Sequence, residues 1–188
     1  MKLSKNLSLA EVVRSDTAKR LGIDNTPTKE HKDNLKVIAE KVFQPIRDHF
    51  ECPVYISSGY RSKALNNALR GASKASMHMS GQALDIDMDY TKVSNKEVFD
   101  YIKDNLEFDT LIWEYGEDSP SWVHVAYREG RNRKQILEAY KDDITGLTKY
   151  KQYEPRKEKQ KEVQGDKTRS VSTRKVRGVS NSSRNNTK

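Results

Sequence analysis

Ser76-Met77-His78-Met79-Ser80-Gly81-Gln82-Ala83-Leu84-Asp85-Ile86-Asp87-Met88 changes character at its middle. From Ala83 onward the residues alternate, with Leu84, Ile86 and Met88 on one side of an extended chain and Asp85 and Asp87 on the other. That period of two describes a strand with one face against a core and a polar face that carries carboxylates. Gly81 allows the chain to bend just before the strand, so His78 sits in the turn that leads into it.

Downstream, Asp109–Tyr115 and Trp122–Tyr127 are rich in aromatic and β-branched residues, with Gly116, Ser119 and Pro120 between them. The pattern predicts a hairpin with a loop of about five or six residues. A register symmetric about residue 119 sets Glu114 opposite His124. Thr110, Ile112 and Glu114 then share a face with Trp122, His124 and Ala126, while Leu111, Trp113, Tyr115, Val123, Val125 and Tyr127 form an apolar layer for the core.

His78, Asp85 and His124 are candidate metal ligands. A histidine, a carboxylate and a second histidine suit Zn2+ and leave its fourth position to water, as in a catalytic rather than a structural site. Glu114, beside His124 in that register, is where a general base for such a water belongs. Each residue also has a plainer reading. A strand histidine can be a surface or hydrogen-bonded core residue, Asp85 and Asp87 a solvated strand face, and Glu114 an ordinary hairpin charge.

Upstream, Ser8-Leu9-Ala10-Glu11 has the form of a capping box and opens an amphipathic stretch to about Leu21, with Gly22 as its stop. Leu35, Ile38, Val42, Phe43, Ile46 and Phe50 fall at helical spacing in a longer helix after Thr26-Pro27-Thr28, which Pro45 should kink. Val54–Ser57 reads as a short buried strand, Ser62–Leu65 as the start of a helix ending near Gly71, and Ser94-Asn95-Lys96-Glu97 as a second capping box with its helix running to about Asp104. Arg133–Asp142 fits strand or helix equally.

The chain has 188 residues, 34% hydrophobic and 33% charged, which is long enough for one domain but too polar to be packed throughout. Residues 151–188 hold 12 of the 35 Lys and Arg and 4 of the 27 Asp and Glu, so this tail carries the entire formal charge of +8 and the body is neutral. From about Tyr150 large apolar residues almost disappear and no period remains, which predicts a basic disordered tail over 150–188 after a domain over 1–149. The tail is either an electrostatic arm toward an anionic cell-wall polymer or a solubilising segment. Its charges are interleaved with a single aromatic, Tyr153, and the neutral body offers no matching groove, which argues against a nucleic-acid partner. Cys52 is the one cysteine, excluding an internal disulfide and any cysteine-rich zinc site. No stretch approaches the roughly 20 apolar residues needed to span a bilayer. No apolar segment follows Met1-Lys2-Leu3, so the expected site of synthesis is the cytoplasm, without a signal peptide.

Ser57-Ser58-Gly59-Tyr60-Arg61-Ser62, Leu65-Asn66, Gly71, the Ser76-x-His78-x-x-Gly81-x-Ala83-x-Asp85 string and Trp122-Val123-His124-Val125 together resemble the zinc D-Ala-D-Ala carboxypeptidase family. That family includes phage L-alanyl-D-glutamate endolysins and shares a fold with hedgehog signalling domains. The resemblance covers roughly residues 1–145 and implies an α+β fold, with a small antiparallel sheet, helices packed on one face and a zinc cleft on the other. It implies zinc held by His78, Asp85 and His124, and a substrate carboxylate held by Arg61 with help from Ser76, the planar guanidinium fork matching a carboxylate. The implied activity is hydrolysis of peptidoglycan stem peptides, as a carboxypeptidase or an endopeptidase. A setting in phage or prophage lysis, with delivery to the wall through a holin or a virion, follows from the same likeness.

The chain departs from the family at Ser121, where many members carry the catalytic acid three residues before the last histidine. A serine hydroxyl has no useful pKa for that role, and Glu114 is the natural replacement. Without it the alternative is a non-catalytic zinc-containing structural or wall-binding protein of the same fold. Asp87 is expected to be an outer partner of a ligand, Tyr60 a packing residue, and His31 and His49 bystanders.

Overall fold

Six strands form one sheet in the order β1-β2-β4-β3-β5-β6 in the computed structural model, which describes residues 1–156. The strands are β1 (Tyr55–Ser58), β2 (Ala83–Asp87), β3 (Thr110–Glu114), β4 (Trp122–Ala126), β5 (Gln135–Lys141) and β6 (Thr148–Gln152). Neighbours are antiparallel except β3 and β5, which run parallel. The class is α+β, as expected, but the sheet is larger than anticipated and mixed. Its parallel pair arises because the 127–134 loop carries the chain from the end of β4 past β3 to the far side of it.

The alternation seen in the sequence sorts the two faces. Leu84, Ile86, Leu111, Trp113, Val123 and Val125 are all fully buried in one cluster with Leu35, Ile38, Ile46, Val98, Phe99 and Ile102 of the helices. Burying side chains of this size contributes roughly 1.5–3 kcal/mol each. The helices are α1 (Leu9–Val13), α2 (Asp16–Leu21), α3 (Lys29–Ile38), α4 (Gln44–Phe50), α5 (Lys63–Ala68) and α6 (Asn95–Asn105). Capping boxes open α1, α3 and α6; in α6 the Ser94 N–H donates to Glu97 Oε2 at 2.7 Å and the Glu97 N–H donates to Ser94 Oγ at 3.2 Å.

The expected helix to Leu21 is in fact two. Ser15 Oγ accepts from the Ala18 N–H and caps a new helix, while Arg14 is extended. The competing local hydrogen bond outbids continuation through a serine, a poor interior residue. Pro45 also acts differently from a kink. It lies in the first turn of α4, after a π-helical turn at Ala39–Phe43, where its missing N–H is tolerated.

The hairpin register is corrected by two residues, with Ile112 opposite His124 and Glu114 opposite Trp122. Tyr115 and Gly116 adopt φ values of 60° and 73°, and the Trp113 indole N–H donates to the Gly116 carbonyl at 2.9 Å, so the strand ends at Glu114 and the loop is longer than predicted. Because side chains alternate with period two, an even shift leaves the paired residues on their predicted faces, but Tyr115, beyond the strand end, lines the polar cleft and not the expected core layer.

Arg133–Asp142 resolves as β5, and β6 lies where the tail was expected to have begun. The compact unit reaches Glu154, five residues beyond 149. Tyr153 packs on Phe99 and Trp113, with ring centroids 4.9 and 5.8 Å away. The rest of the expected tail, 157–188, lies outside the described residues. Among the described residues no helix is long and apolar enough to cross a membrane.

Candidate metal centre

Sheet register alone brings Asp85 and His124 together, since they are directly opposed on β2 and β4. His124 Nδ1 lies 2.8 Å from Asp85 Oδ1. His78 arrives from the single 3₁₀ turn Met77–Ser80, and its Nε2 lies 3.2 Å from the same oxygen. The turn is fixed against α3. Gly81 has φ 71°, and a Cβ there would meet the His31 carbonyl oxygen at 2.6 Å, so no larger residue fits.

The other nitrogen of His78 decides its tautomer. Nδ1 is 2.6 Å from the Gly59 carbonyl, to which it must donate, leaving the Nε2 lone pair aimed at Asp85 and His124. Burial pushes the His78 pKa down by more than Asp85 raises it, so the ring is neutral at neutral pH. Asp85 is itself buried, which pushes its carboxyl up, but its interactions with His78 and His124 overcome that and hold it well below the usual carboxylate range. A neutral imidazole and an ionised carboxylate are the forms a metal requires.

The three donor atoms lie within 4.8 Å of one another. Zinc with bonds of about 2.0–2.2 Å places tetrahedral neighbours roughly 3.3–3.5 Å apart, so a small outward movement from the 2.8 and 3.2 Å contacts accommodates it. The donor set fits zinc, which His78, Asp85 and His124 would hold.

The cleft has a volume of about 570 Å³ and runs between the polar face of the sheet and the 69–77 loop. Glu114 lines it at 7% exposure, diagonal to His124 across the β3–β4 pair. Burial, aided by the negative charge of Asp85 and opposed by His124 and Arg61, pushes its pKa up to about 7. Such a carboxyl exchanges a proton near neutrality. Ser76 sits on the cleft wall just before the His78 turn.

Arg61, expected to hold a substrate carboxylate, already has partners. Its Nη2 donates to Asp85 Oδ2 at 2.7 Å and its Nε to Ser58 Oγ at 2.9 Å, so it steadies the carboxylate of the metal group from behind. The outer-partner role expected of Asp87 therefore falls to the Gly59 carbonyl and Arg61, while Asp87 Oδ1 accepts the Asp89 N–H in a turn. Ser121 is exposed and only its backbone N–H touches the site, donating to the Glu114 carbonyl at 2.9 Å. Tyr60 is buried packing; His49 stacks on Tyr101 and His31 helps cap α3, both away from the metal group.

Sequence reading missed Asn25. Its amide donates to the Val13 and Tyr60 carbonyls at 2.9 and 3.1 Å, and its Oδ1 accepts the Ser62 N–H at 2.6 Å, locking the loop that presents Gly59 and Arg61. No periodicity marks such a residue. It also missed Arg128, Arg133, Lys141 and Tyr150, which line the cleft from the loop before β5 and from β5 and β6. A family model described as Peptidase M15 matches residues 5–126. No curated protein matches the chain.

Proposed function

The chain belongs to the peptidase M15 family of zinc-dependent metallopeptidases, and from that premise we propose that it hydrolyses peptidoglycan stem peptides, at a terminal D-Ala as a carboxypeptidase or internally as an endolysin-like endopeptidase. The setting proposed is phage or prophage lysis of a cell wall. One observation carries the catalytic reading: a buried glutamate that titrates near neutrality stands beside a three-donor metal group in an open cleft.

His78, Asp85 and His124 would hold the zinc, which when bound polarises the scissile carbonyl and lowers the pKa of water. Glu114, as the general base, accepts the proton from the attacking water and delivers it to the leaving amine as the C–N bond breaks. Arg61 keeps Asp85 oriented, and Ser76 on the cleft wall offers a hydroxyl to the bound peptide.

The test is metal analysis of the purified protein together with cleavage of defined muropeptides, with and without a chelator. Stoichiometric zinc and chelator-sensitive cleavage are expected. Zinc without cleavage would support the non-catalytic alternative that Ser121 suggests, and no zinc would overturn both.

A further inference from the structure

Past the metal group, toward the start of β3, the cleft becomes basic. Arg128 and Arg133 line it there, both from the 127–134 loop, beyond the residues matched by the family model. Arg133 grips Asp109 with both arms of its fork, Nε to Oδ1 at 2.9 Å and Nη2 to Oδ2 at 2.7 Å, and Nη2 also reaches Thr110 Oγ1 at 3.0 Å. Asp109 is fully buried, so this pairing is an anchor and not a chance surface contact.

Arg128 is different. Its backbone is fixed, its N–H donating to Asn132 Oδ1 at 2.9 Å and its carbonyl accepting the Arg131 N–H at 3.2 Å. Yet its side-chain Nε is shut off from solvent and meets no acceptor among the described residues. A buried donor left unmet costs about 1–3 kcal/mol, more on a charged group. Asp109 lies in the field of both guanidiniums: against its burial, hydrogen bonds from Arg133 and Thr110 and the charges of Arg133 and Arg128 hold its pKa below the usual value. Arg61 lines the same cleft and donates from Nε to Ser58 and from Nη2 to Asp85.

We propose that Arg128, backed by the Arg133–Asp109 pair, is a subsite for a free carboxylate on the peptide substrate. The assignment rests on the peptidase reading of the same cleft and specifies its substrate as an acidic peptide. A carboxylate in the cleft beside Arg128 pairs with its guanidinium, so it contributes to binding before any chemistry occurs.

The test uses the stem pentapeptide L-Ala-γ-D-Glu-L-Lys-D-Ala-D-Ala and two variants, in which either the D-Glu α-carboxylate or the terminal carboxylate is a carboxamide. Calorimetry on the metal-free full chain reads binding without catalysis, and KM and kcat on the zinc-loaded enzyme read it during turnover. Wild type is expected to bind one carboxamide at least tenfold more weakly than the acid. Arg128→Gln should bind that acid and amide alike, and Arg128→Lys should restore part of the preference. Equal binding of all three peptides by wild type, or the same preference in Arg128→Gln, overturns the subsite. Failure of cleavage with the binding preference intact would count against the peptidase reading and leave the subsite supported.

Discussion

Glu114 faces two demands that conflict. To act as a base it must lose its proton, yet burial favours the protonated form and pushes its pKa up to about 7. A folded pKa above the unfolded value gives a contribution to stability that is complete below about pH 4.5 and is lost as the pH rises through about 7. Above that range the metal-free protein carries a buried carboxylate, a cost on the order of 3 kcal/mol for a shift of this size. Glu114→Gln removes the charge while keeping the shape. In chelator-treated protein at pH 8 it should be more stable than wild type by on the order of 1–3 kcal/mol in urea denaturation, with no gain at pH 4.5. With zinc restored, the same variant should retain metal and lose on the order of 10²–10⁴ in rate. A variant that keeps the wild-type kcat removes Glu114 from the chemistry.

The placement of Glu114 was legible because it needed only the parity of the strand. The hairpin register was two residues out, and the side chain still faced the metal group. His78, Asp85 and His124 were legible for the same reason, with Gly81 marking the turn. What could not be read was backbone and long-range work. The Gly59 carbonyl that sets the His78 tautomer has no side-chain signature, and the partner of Arg61 depended on knowing that β1 lies against β2.

Among the elements, the turn Met77–Ser80 transmits the position of α3 to the metal group, and the Asn34 amide holds it by donating to the Ser80 carbonyl at 2.9 Å. Gly81→Ala forces a side chain into a left-handed backbone, costing roughly 1–2 kcal/mol, and drives its Cβ against the His31 carbonyl. Zinc affinity, measured by competition with a chromophoric chelator, should fall along with stability, because His78 must shift with the turn. Loss of stability with unchanged zinc affinity would show that the turn and the ligand are not coupled.

β6 is the element the sequence concealed. Thr148-Lys149-Tyr150-Lys151-Gln152 has the composition of a basic tail, and only its neighbours make it a strand. It pairs with β5, Lys149 and Lys151 meet Asp142 and Glu138 at 2.6 and 3.6 Å, and Tyr153 beyond it covers Phe99 and Trp113. Edge-strand propensity depends on such context more than on intrinsic preference. Tyr153→Ala should therefore cost about 1–3 kcal/mol of unfolding free energy. A tail residue would cost nothing measurable, so a neutral result would return Tyr153 to the tail.

For the molecule as a whole, the metal group ties together parts of the chain that have few other reasons to meet: the turn after α5, an inner strand and the returning arm of the hairpin. In the absence of metal the same three side chains hold a neutral imidazole, a second ring and an ionised carboxylate around one point, an arrangement that only a cation fully satisfies. Binding that occurs only in the folded state stabilises it by RT ln(1 + [L]/Kd), about 4 kcal/mol when free zinc is a thousandfold above Kd. In a domain of this size 1 kcal/mol moves Tm by roughly 2–4 °C, so restoring zinc to chelated protein should raise Tm by about 8–16 °C. His78→Ala should abolish that rise, because it removes a donor, whereas Glu114→Gln should preserve it, because it removes none. Calorimetry of the three proteins with and without zinc separates the residues that hold the metal from the residue that works beside it. A zinc-dependent rise that survives in His78→Ala would mean that the ion binds elsewhere, and the site built on β2 and β4 would have to be abandoned.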